Sequence, residues 1–356
     1  MHWVTSYFGN RILRHVQRDM RRLAGAGFAE IVHTFSENDL LYSSATLGEI
    51  VQATQDEGLA VQIDPWGVAG IFGGEAFSRW IVEDPDLQQR GPSGRFLGGA
   101  CLNHPRLRDR LTEWLDAAAR TGAECVFWDE PHWVPSGSRN PEGDVCTCRH
   151  CLAAFDRWRE ANPKRVAELA GGDGPRVAGL PDAPLVLFQR FRAESVRHLL
   201  EELCALASER AMHSSICVLP QGKLDQPLLD WSELARLPGA TVFGTDPYWH
   251  AFGSTDADER DRFIDLNTTA AQTAAGAAGI DSMMWIQAFR IPADAQDETI
   301  DGARRLITHR PDRVAVWGFE ACAHMSALAC DNALAFWQRL LDLIAETRAT
   351  PAGPGE

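Results

Sequence analysis

Lysine is almost absent from this chain, and basic residues of any kind are in the minority. Lys164 and Lys223 are the only lysines, so Schiff-base chemistry has at most two candidate nucleophiles. The 34 lysines and arginines face 49 aspartates and glutamates, which gives a formal net charge of −15. Because nucleic acids require a basic binding face, this balance argues against a nucleic-acid partner. A neutral or cationic ligand suits the chain better.

Long apolar runs are also missing. No apolar stretch of about 18 residues is present, and the N-terminal sequence MHWVTSYFGN lacks the charged and apolar regions of a signal peptide. We therefore expect no membrane association and a cytoplasmic location. The nine cysteines are an odd number, and three of them form one C-x-C-x-x-C run. This spacing favours metal ligation in a reducing compartment over a set of disulfides.

Short apolar runs alternate with longer amphipathic segments along the chain. The apolar runs predict strands at 2–8, 30–35, 59–65, 124–130, 213–220, 240–249, 281–289 and 313–321. Helical spacing is found at 11–27, 46–58, 105–121, 149–161, 186–212, 229–236, 257–279, 294–309 and 327–347. Eight strand–helix units with continuously apolar strands predict an α/β fold, a single (β/α)8 TIM barrel. No G-x-G-x-x-G follows a strand, which argues against a doubly wound dinucleotide-binding sheet.

The spacing of these segments also predicts the domain organisation. Long connections predict extended loops after strands 3 and 4, and the Gly/Pro-rich stretch 171–184 predicts an insertion loop in the fourth unit. We assign residues 1–349 to one barrel domain and 350–356 to a disordered tail. Self-association is compatible with such a barrel, although nothing in the sequence specifies a symmetry.

Carboxylates and tryptophans end most of the predicted strands. Because barrel active sites lie at the C-terminal ends of the strands, these side chains are candidate ligand contacts. Flat rings stack on sugars and carboxylates bind their hydroxyls, so the pattern indicates a carbohydrate partner. Some of the tryptophans are equally suited to plugging the barrel mouth. The candidates for substrate binding are His33, Asp64, Trp66, Trp133, Tyr248, Trp249, Trp285, Gln287 and Trp317.

The segment CVFWDEPHW gives the sharpest catalytic signal. Asp129 and Glu130 are adjacent carboxylates that end a strongly apolar strand, and a proline then turns the chain. Strand alternation points the two side chains in different directions, although the end of a strand can relax this. The alternative interpretation is that Asp129 only caps or orients Glu130 by hydrogen bonding.

The segment VCTCRHCLAAFDRW places Cys146, Cys148 and Cys151 close together. Three thiolates need a fourth ligand to complete the tetrahedron that Zn²⁺ prefers. The candidates are Cys101, Cys125, His150 and the remaining cysteines, and we favour Cys101 because it lies in the long loop after strand 3. A closed site of this kind holds loops together and activates no water. The alternative is a set of reduced thiols without metal.

Three successive segments, GRFLGGACLNHPRLRDRL, WDEP and CTCRHCLAAFDRW, resemble the family 42 β-galactosidases of the clan A glycoside hydrolases. The preceding EDPDLQQRGPSG is also similar to that family's approach to its first zinc cysteine. The resemblance is specific over about residues 80–160. It implies a structural zinc site at Cys101, Cys146, Cys148 and Cys151, and it places the general acid/base of a glycosidase at Glu130.

Two departures from the family pattern bear on activity. Asp129 stands where the family has an asparagine that contacts the sugar 2-hydroxyl, and Gln287 stands where the family has its nucleophilic glutamate. The chain is also too short for the family's extra C-terminal domains. The resemblance therefore implies a relative or an analogue, and not β-galactosidase activity itself.

Three mechanisms stay open. Asp246 or Glu320 attacks the sugar with retention, which needs carboxyl groups about 5–5.5 Å apart, or activates water with inversion at about 6.5–9.5 Å. Alternatively, an acetamido substrate supplies its own nucleophile, since the Asp129–Glu130 pair resembles that of the β-hexosaminidases. We favour Asp246 because TDPYW ends a strand and places two aromatic residues beside it, and we rank Glu320 second.

Two rival functions belong to other classes. A Schiff-base lyase would need a lysine in the barrel mouth, and Lys223 follows strand 5. A non-catalytic carbohydrate-binding barrel is the stronger rival, because the expected nucleophile is absent. The sequence favours a glycosidase over both.

Overall fold

The computed structural model describes residues 1–137, 141–142, 145–170, 175–177, 180–222, 229–253 and 256–349. The strands are β1 (His2–Tyr7), β2 (Glu30–Thr34), β3 (Ala60–Asp64), β4 (Gln88–Arg90), β5 (Phe96–Ala100), β6 (Cys125–Asp129), β7 (Arg176–Val177), β8 (Leu180–Pro184), β9 (His213–Val218), β10 (Ala240–Thr245), β11 (Asp281–Gln287) and β12 (Arg313–Trp317). Eight of them close a parallel barrel in the order β1-β12-β11-β10-β9-β6-β3-β2. The predicted TIM barrel is therefore confirmed.

Helices pack around this barrel. They are α1 (Leu13–Ala26), α2 (Glu37–Tyr42), α3 (Ser44–Asp56), α4 (Trp80–Glu83), α5 (Pro105–Ala119), α6 (Arg149–Ala161), α7 (Pro163–Ala170), α8 (Leu185–Glu209), α9 (Trp231–Leu234), α10 (Ala257–Ala278), α11 (Gln296–Thr308) and α12 (Ala333–Ala349). The first of them shows how the sequence sets a boundary. Helix α1 ends at Gly27, which adopts a φ of 102° and donates its N–H to the carbonyls of Leu23 and Ala24.

The strands are apolar along their length because both faces are buried. One apolar cluster fills the barrel interior and includes Val32, Phe127, Met283 and Trp285. A second, larger cluster lies between the strands and the helices, where Ile31 and Val126 contribute. Neighbouring residues of one strand therefore serve opposite sides of the barrel wall.

Two long connections lie at the C-terminal end of the barrel. Strand β3 ends at Asp64 and helix α5 begins at Pro105, and the chain between them carries α4 and the antiparallel pair β4–β5. The next connection runs from the end of β6 to Arg149 at the start of α6. Within the predicted insertion 171–184, the described residues form the antiparallel pair β7–β8.

Some predicted boundaries differ from the observed ones. The predicted helix 229–236 is only one turn, α9. Asp230 caps its N-terminus, and the Asp230 side chain accepts hydrogen bonds from the N–H groups of Ser232 and Glu233. The predicted strand 313–321 ends at Trp317, because a 3-10 turn follows at Phe319–Cys322. Residues 350–356 lie outside the described residues, and the domain limits 1–349 stay a prediction. Among the described residues, no helix combines the length and apolar character needed to cross a membrane.

Candidate active site

A cavity of about 400 Å³ opens where the barrel strands end. Two kinds of side chain dominate its wall, carboxylates and aromatic rings. Together with His132 and Cys217, the lining includes Glu75, Asp129, Glu130, Asp246, Phe72, Tyr248, Phe252, Trp285, Phe289 and Trp317. No lysine or arginine belongs to the lining in the part of the chain that the structure describes.

Asp129 and Glu130 both line this cavity although they are adjacent in sequence. Asp129 is the last residue of β6, and Glu130 has a φ of 45°, in the left-handed region. Its N–H still donates to the carbonyl of Cys217 at 3.1 Å. The strand alternation therefore ends at Asp129, and the left-handed backbone of Glu130 is a strained conformation of the kind found at functional sites.

Glu130 and Asp246 form a close carboxylate pair in the cavity. One oxygen of each and the sulfur of Cys217 lie within 4.8 Å of one another. Burial, followed by the charge of Asp246 and a hydrogen bond to it, raises the pKa of Glu130 well above its ordinary value. Burial raises the pKa of Asp246 to about 7, and the hydrogen bond from Glu130 limits this rise. Glu130 is thus the member of the pair that holds the proton.

A second group of acids adjoins this pair. Burial raises the pKa of Asp129, and the charges of Glu130 and Glu75 raise it further. Asp64, at the end of β3, is fully buried, and neither of its carboxylate oxygens has a hydrogen-bond partner among the described residues. Burial and then the charge of Asp129 raise the pKa of Asp64 as well.

A glycine brings the loop after β3 against these carboxylates. Gly73 donates its N–H to the carbonyl of Asp129 at 2.9 Å. A Cβ atom at Gly73 would lie 2.2 Å from Oδ2 of Asp129, so no larger residue fits there. The loop that carries Glu75 is therefore held directly over the carboxylate of Asp129.

Aromatic rings form another part of the wall. Trp285 and Trp317 meet edge to face with ring centroids 5.6 Å apart, and Phe127 supports Trp285 from inside the barrel at 5.2 Å. Tyr248 packs against Phe289 at 5.4 Å. Predicted contacts Tyr248, Trp285 and Trp317 are thus brought to the cavity. A cavity lined by both flat apolar rings and hydrogen-bonding acids suits a sugar, which has apolar ring faces and polar hydroxyl groups.

Several predicted contacts lie elsewhere. His33 is fully buried, with Nε2 2.9 Å from the hydroxyl of Thr54 in α3, and burial lowers its pKa to about 3. Trp133 donates from Nε1 to the carbonyl of Arg192 in α8 at 3.1 Å. These side chains face the surrounding helices, so the structure does not bring them to the cavity.

Trp66 and Trp249 also serve packing. Trp66 stacks on Phe8 at a centroid distance of 5.5 Å, beside the cavity but outside its lining. Trp249 packs so closely on α11 that a Cβ at Gly302 would lie 2.6 Å from its ring. Neither indole is among the lining residues.

Gln287 at the end of β11 and Glu320 after β12 are the remaining predicted residues of this site, and neither lines the cavity. Gln287 accepts a hydrogen bond from the N–H of Ala251 at 3.0 Å and donates one to the carbonyl of Phe289 at 2.9 Å. It therefore fixes two residues of the cavity wall without lining the cavity itself. Glu320 accepts from Nη1 of Arg22 at 2.9 Å on the outside of the barrel, so it is not placed opposite Glu130.

The four predicted zinc cysteines form one buried cluster beside this site. The sulfurs of Cys101, Cys146 and Cys148 lie within 4.8 Å of one another. Cys148 caps α6, accepting from the N–H of Cys151 at 3.4 Å, and the thiol groups of Cys101 and Cys146 interact with that of Cys151. All four are free of disulfides. A buried cluster that can hold a metal ion thus joins the loop after β5 to the start of α6.

The donor set of this cluster fits zinc. Four sulfur ligands without a carboxylate are typical of a closed tetrahedral site, which leaves no position for a reacting water. Cys125, an alternative fourth ligand, is instead at the start of β6, away from the loops. His150, the other named alternative, faces His104 at a ring centroid distance of 4.1 Å.

Glu75 and Cys217 are among the lining residues that were not predicted as site residues. Glu75 lies in the loop after β3, where no strand end marks it, and the only signal was the Gly73–Gly74 pair before it. Cys217 lies in β9 on the interior face, and Leu219, two residues later, also lines the cavity. The two-residue period at the end of this strand was the available signal in the sequence. Lys223, the candidate for Schiff-base chemistry, lies outside the described residues.

Comparisons with known proteins identify the class of fold. No protein-family model and no curated protein matches the chain. A β-galactosidase from the psychrophilic Marinomonas ef1 superimposes with a TM-score of 0.65 at 12% identity, covering 98% of this chain and 60% of its own. A GH42 β-galactosidase from G. stearothermophilus gives 0.59 at 12%, covering 88% of this chain and 50% of its own.

A third solved structure, GH5_18 from Streptomyces cattleya in complex with GlcNAc, gives a TM-score of 0.56 at 12% identity and covers 99% of this chain and 82% of its own. These similarities confirm the predicted likeness to clan A glycosidases at the level of the fold. The chain spans only about half to three-fifths of the two β-galactosidases.

Proposed function

We propose that this protein is a glycoside hydrolase whose reacting groups are Glu130 and Asp246. The observation that carries the proposal is the carboxylate pair itself. Its oxygens lie within 4.8 Å of each other in a cavity walled by Trp285 and Trp317. Two carboxyl groups whose surroundings push their pKa values apart are the machinery that glycosidic bond cleavage requires.

Glu130 is the general acid. Its raised pKa keeps the carboxyl protonated near neutral pH, and the hydrogen bond to Asp246 holds that proton inside the cavity. When a glycoside enters, Glu130 transfers the proton to the glycosidic oxygen as the bond to the anomeric carbon breaks. The leaving group departs as a neutral alcohol.

Asp246 is the nucleophile. The nearest oxygens of the pair lie within 4.8 Å of each other, which suits the carboxyl separation of about 5–5.5 Å in retaining enzymes better than the about 6.5–9.5 Å of inverting ones. The Asp246 carboxylate bonds to the anomeric carbon and forms a glycosyl ester. Glu130, now ionised, then takes a proton from water, whose oxygen displaces Asp246 and regenerates both groups.

Gln287 is a positioning residue in this account. It stands at the end of β11, where the resemblance to family 42 would place a nucleophile, and both ends of its amide are occupied by the backbone of Ala251 and Phe289. Its amide orients the wall around the sugar, while the attacking carboxylate comes from the loop after β10.

We also propose that Cys101, Cys146, Cys148 and Cys151 bind one structural Zn²⁺. The metal would tie the loop after β5 to helix α6, and so hold the frame around β6, which carries Asp129, in place. Its contribution is to stability, since four thiolates occupy the whole coordination sphere. The carbohydrate chemistry is assigned to the carboxylates alone.

The leaving group distinguishes the two carboxylates. A panel of dinitrophenyl and methyl glycosides in both anomeric forms is tested with wild type, Glu130→Gln and Asp246→Asn. We expect Glu130→Gln to slow the methyl glycoside by about 10²–10⁴-fold, and to spare formation of the glycosyl ester from the dinitrophenyl glycoside, which needs little protonation. Asp246→Asn should slow both substrates.

The matched control is Glu83→Gln, an exposed residue that pairs with Arg79 outside the cavity. It should behave as wild type. Binding of sugars without turnover of any glycoside by the wild type would instead support the non-catalytic carbohydrate-binding barrel. Activity confined to N-acetylhexosaminides, abolished by Asp129→Asn and retained in Asp246→Asn, would support the substrate-assisted mechanism.

A further inference from the structure

The cavity region holds more carboxyl groups than hydrolysis of a neutral glycoside requires. Glu130 and Asp246 supply the acid and the nucleophile. Glu75 and Asp129 line the same cavity, and Asp64 lies buried beside Asp129. Among the described lining residues, the only basic side chain is His132.

Some oxygens of these carboxyl groups lack a hydrogen-bond donor. Asp246 is only 5% exposed, and its Oδ1 has no partner among the described residues. The same holds for Oε1 of Glu130 and for both oxygens of the fully buried Asp64. Because an unpartnered buried acceptor is costly, the oxygens of Glu130 and Asp246, which line the cavity, indicate that a ligand supplies N–H or O–H donors.

The mutual repulsion of the acids points to a charged donor. Burial and the charges of Glu130 and Glu75 all raise the pKa of Asp129, so the cavity is a poor place for a further anion. A cation offsets this repulsion, and it also interacts favourably with the ring faces of residues such as Trp285. The strongly negative charge of the whole chain attracts such a ligand.

We propose that the natural substrate is a glycoside of a 2-amino-2-deoxy sugar, whose ammonium group binds Asp129, with Glu75 as the second partner. This inference rests on the proposed function and specifies its substrate class. The position of the amine follows from the adjacency of the two acids. Glu130 must reach the oxygen on carbon 1, and Asp129 is its neighbour in the cavity wall, next to the substituent on carbon 2.

Binding is tested first, because it does not depend on turnover. Glucosamine and galactosamine are titrated calorimetrically into the full-length protein at pH 6.5 without added divalent metal, alongside glucose, galactose and the two N-acetylated amino sugars. We expect at least one amino sugar to bind about ten-fold or more tightly than its neutral parent, a preference that weakens as sodium chloride is raised. Equal or weaker binding of both amino sugars would overturn the proposal.

Variants then locate the ammonium site. Asp129→Asn and Glu75→Gln should each reduce the ratio of amino-sugar to neutral-sugar affinity by about ten-fold, while Glu83→Gln should keep the wild-type ratio. Circular dichroism verifies that each variant is folded. An unchanged ratio in a folded Asp129→Asn variant would overturn the assignment of Asp129, and an unchanged ratio in Glu75→Gln that of Glu75.

Hydrolysis tests the proposed glycosidase activity and the proposed substrate class separately. The dinitrophenyl glycosides of glucosamine and of glucose are compared by kcat/KM. Preferred cleavage of the amino glycoside supports both proposals. Cleavage of the neutral glycoside with rejection of the amino glycoside overturns the substrate class and keeps the hydrolase. Preferential binding of amino sugars without cleavage of any glycoside overturns the hydrolase and keeps the ammonium site.

Discussion

Two buried clusters of ionisable side chains lie near each other in this protein, and they differ in how their groups are satisfied. In the cysteine cluster, sulfurs within 4.8 Å enclose a space for one metal ion. In the carboxylate cluster, Oε1 of Glu130 and Oδ1 of Asp246 at the cavity, and both carboxylate oxygens of the buried Asp64, have no hydrogen-bond partner among the described residues. The first arrangement suits a metal ion that stays bound, and the second suits a ligand that binds and leaves. Burial of ionisable groups alone therefore does not identify the role of a site.

The largest expected effect is the loss of one cysteine ligand. Cys148→Ser should release the zinc and lower the free energy of unfolding by several kcal/mol, because binding of a structural metal is coupled to folding. Metal analysis should find about one zinc per wild-type chain and almost none in the variant, with a lower thermal midpoint. Cys125→Ser is the control, since that thiol lies in β6 outside the cluster, and it should keep the metal. Wild-type protein without zinc would refute the metal assignment.

The opposite sign is expected in the carboxylate cluster. Asp64→Asn should increase the free energy of unfolding at pH 7 by on the order of 1 kcal/mol, because it removes an ionisable group whose charge is buried without a partner. The pKa of Asp64 in the folded protein is raised above its unfolded value of 3.8, so the native state binds more protons. Wild-type stability should therefore fall as pH rises above about 4, and this slope should be smaller in the variant.

Urea unfolding of both proteins between pH 4 and 8 measures that difference. A variant that is less stable than wild type throughout would mean that Asp64 is satisfied in the folded protein. The carboxylate cluster would then be satisfied within the folded protein, as the cysteine cluster is expected to be when metal is bound.

A smaller effect is expected at the cavity wall. Gln287→Glu should destabilise the protein by about 1–3 kcal/mol, because an ionised carboxylate cannot donate to the carbonyl of Phe289. It should also lower glycosidase activity, since the wall at Ala251 and Phe289 loses its support. Thermal unfolding and kcat/KM are the measurements. Increased activity would show that this position accepts a nucleophile after all.

The smallest effect is expected for Glu320→Gln. This carboxylate pairs with the exposed Arg22 on the outer side of the barrel, and exposed ion pairs contribute about 0–1 kcal/mol. Activity should stay within about two-fold of wild type. A loss comparable with that of Asp246→Asn would move the nucleophile to Glu320.

Much of the fold follows from the sequence because strands buried on both faces are continuously apolar. All eight barrel strands were predicted near their observed positions. The extent of the 229–236 helix was not, since it depends on how a short connection packs. The side chains of the site were predicted in part, and the two-residue period of a strand explains which part.

In β10 and the residues after it, Val242 faces the barrel interior, and Asp246 and Tyr248, at even spacing from it, line the cavity. Trp249 has the opposite parity and packs outward. His33 likewise follows the interior residue Val32 and faces α3. Parity alone would have excluded both residues.

Glu130 breaks the same rule for a local reason. Asp129 has the interior parity of Phe127, and Glu130 reaches the cavity only because its φ of 45° turns the chain. Glu75 lies on a loop whose path depends on the close approach of Gly73 to Asp129. A left-handed residue and a loop contact of this kind depend on the tertiary structure, so no period in the sequence encodes them.

Mass spectrometry can show directly whether Glu130 and Asp246 act as acid and nucleophile. The Glu130→Gln variant is analysed during turnover of a dinitrophenyl glycoside. Formation of the glycosyl ester from this substrate needs little acid catalysis, whereas hydrolysis of the ester needs the base Glu130, which the variant lacks. The glycosyl-enzyme should therefore accumulate. After acid quench and proteolysis, we expect one sugar on the peptide that carries Asp246. A sugar attached to any other residue, or rapid turnover with no covalent adduct, would contradict these roles of Glu130 and Asp246.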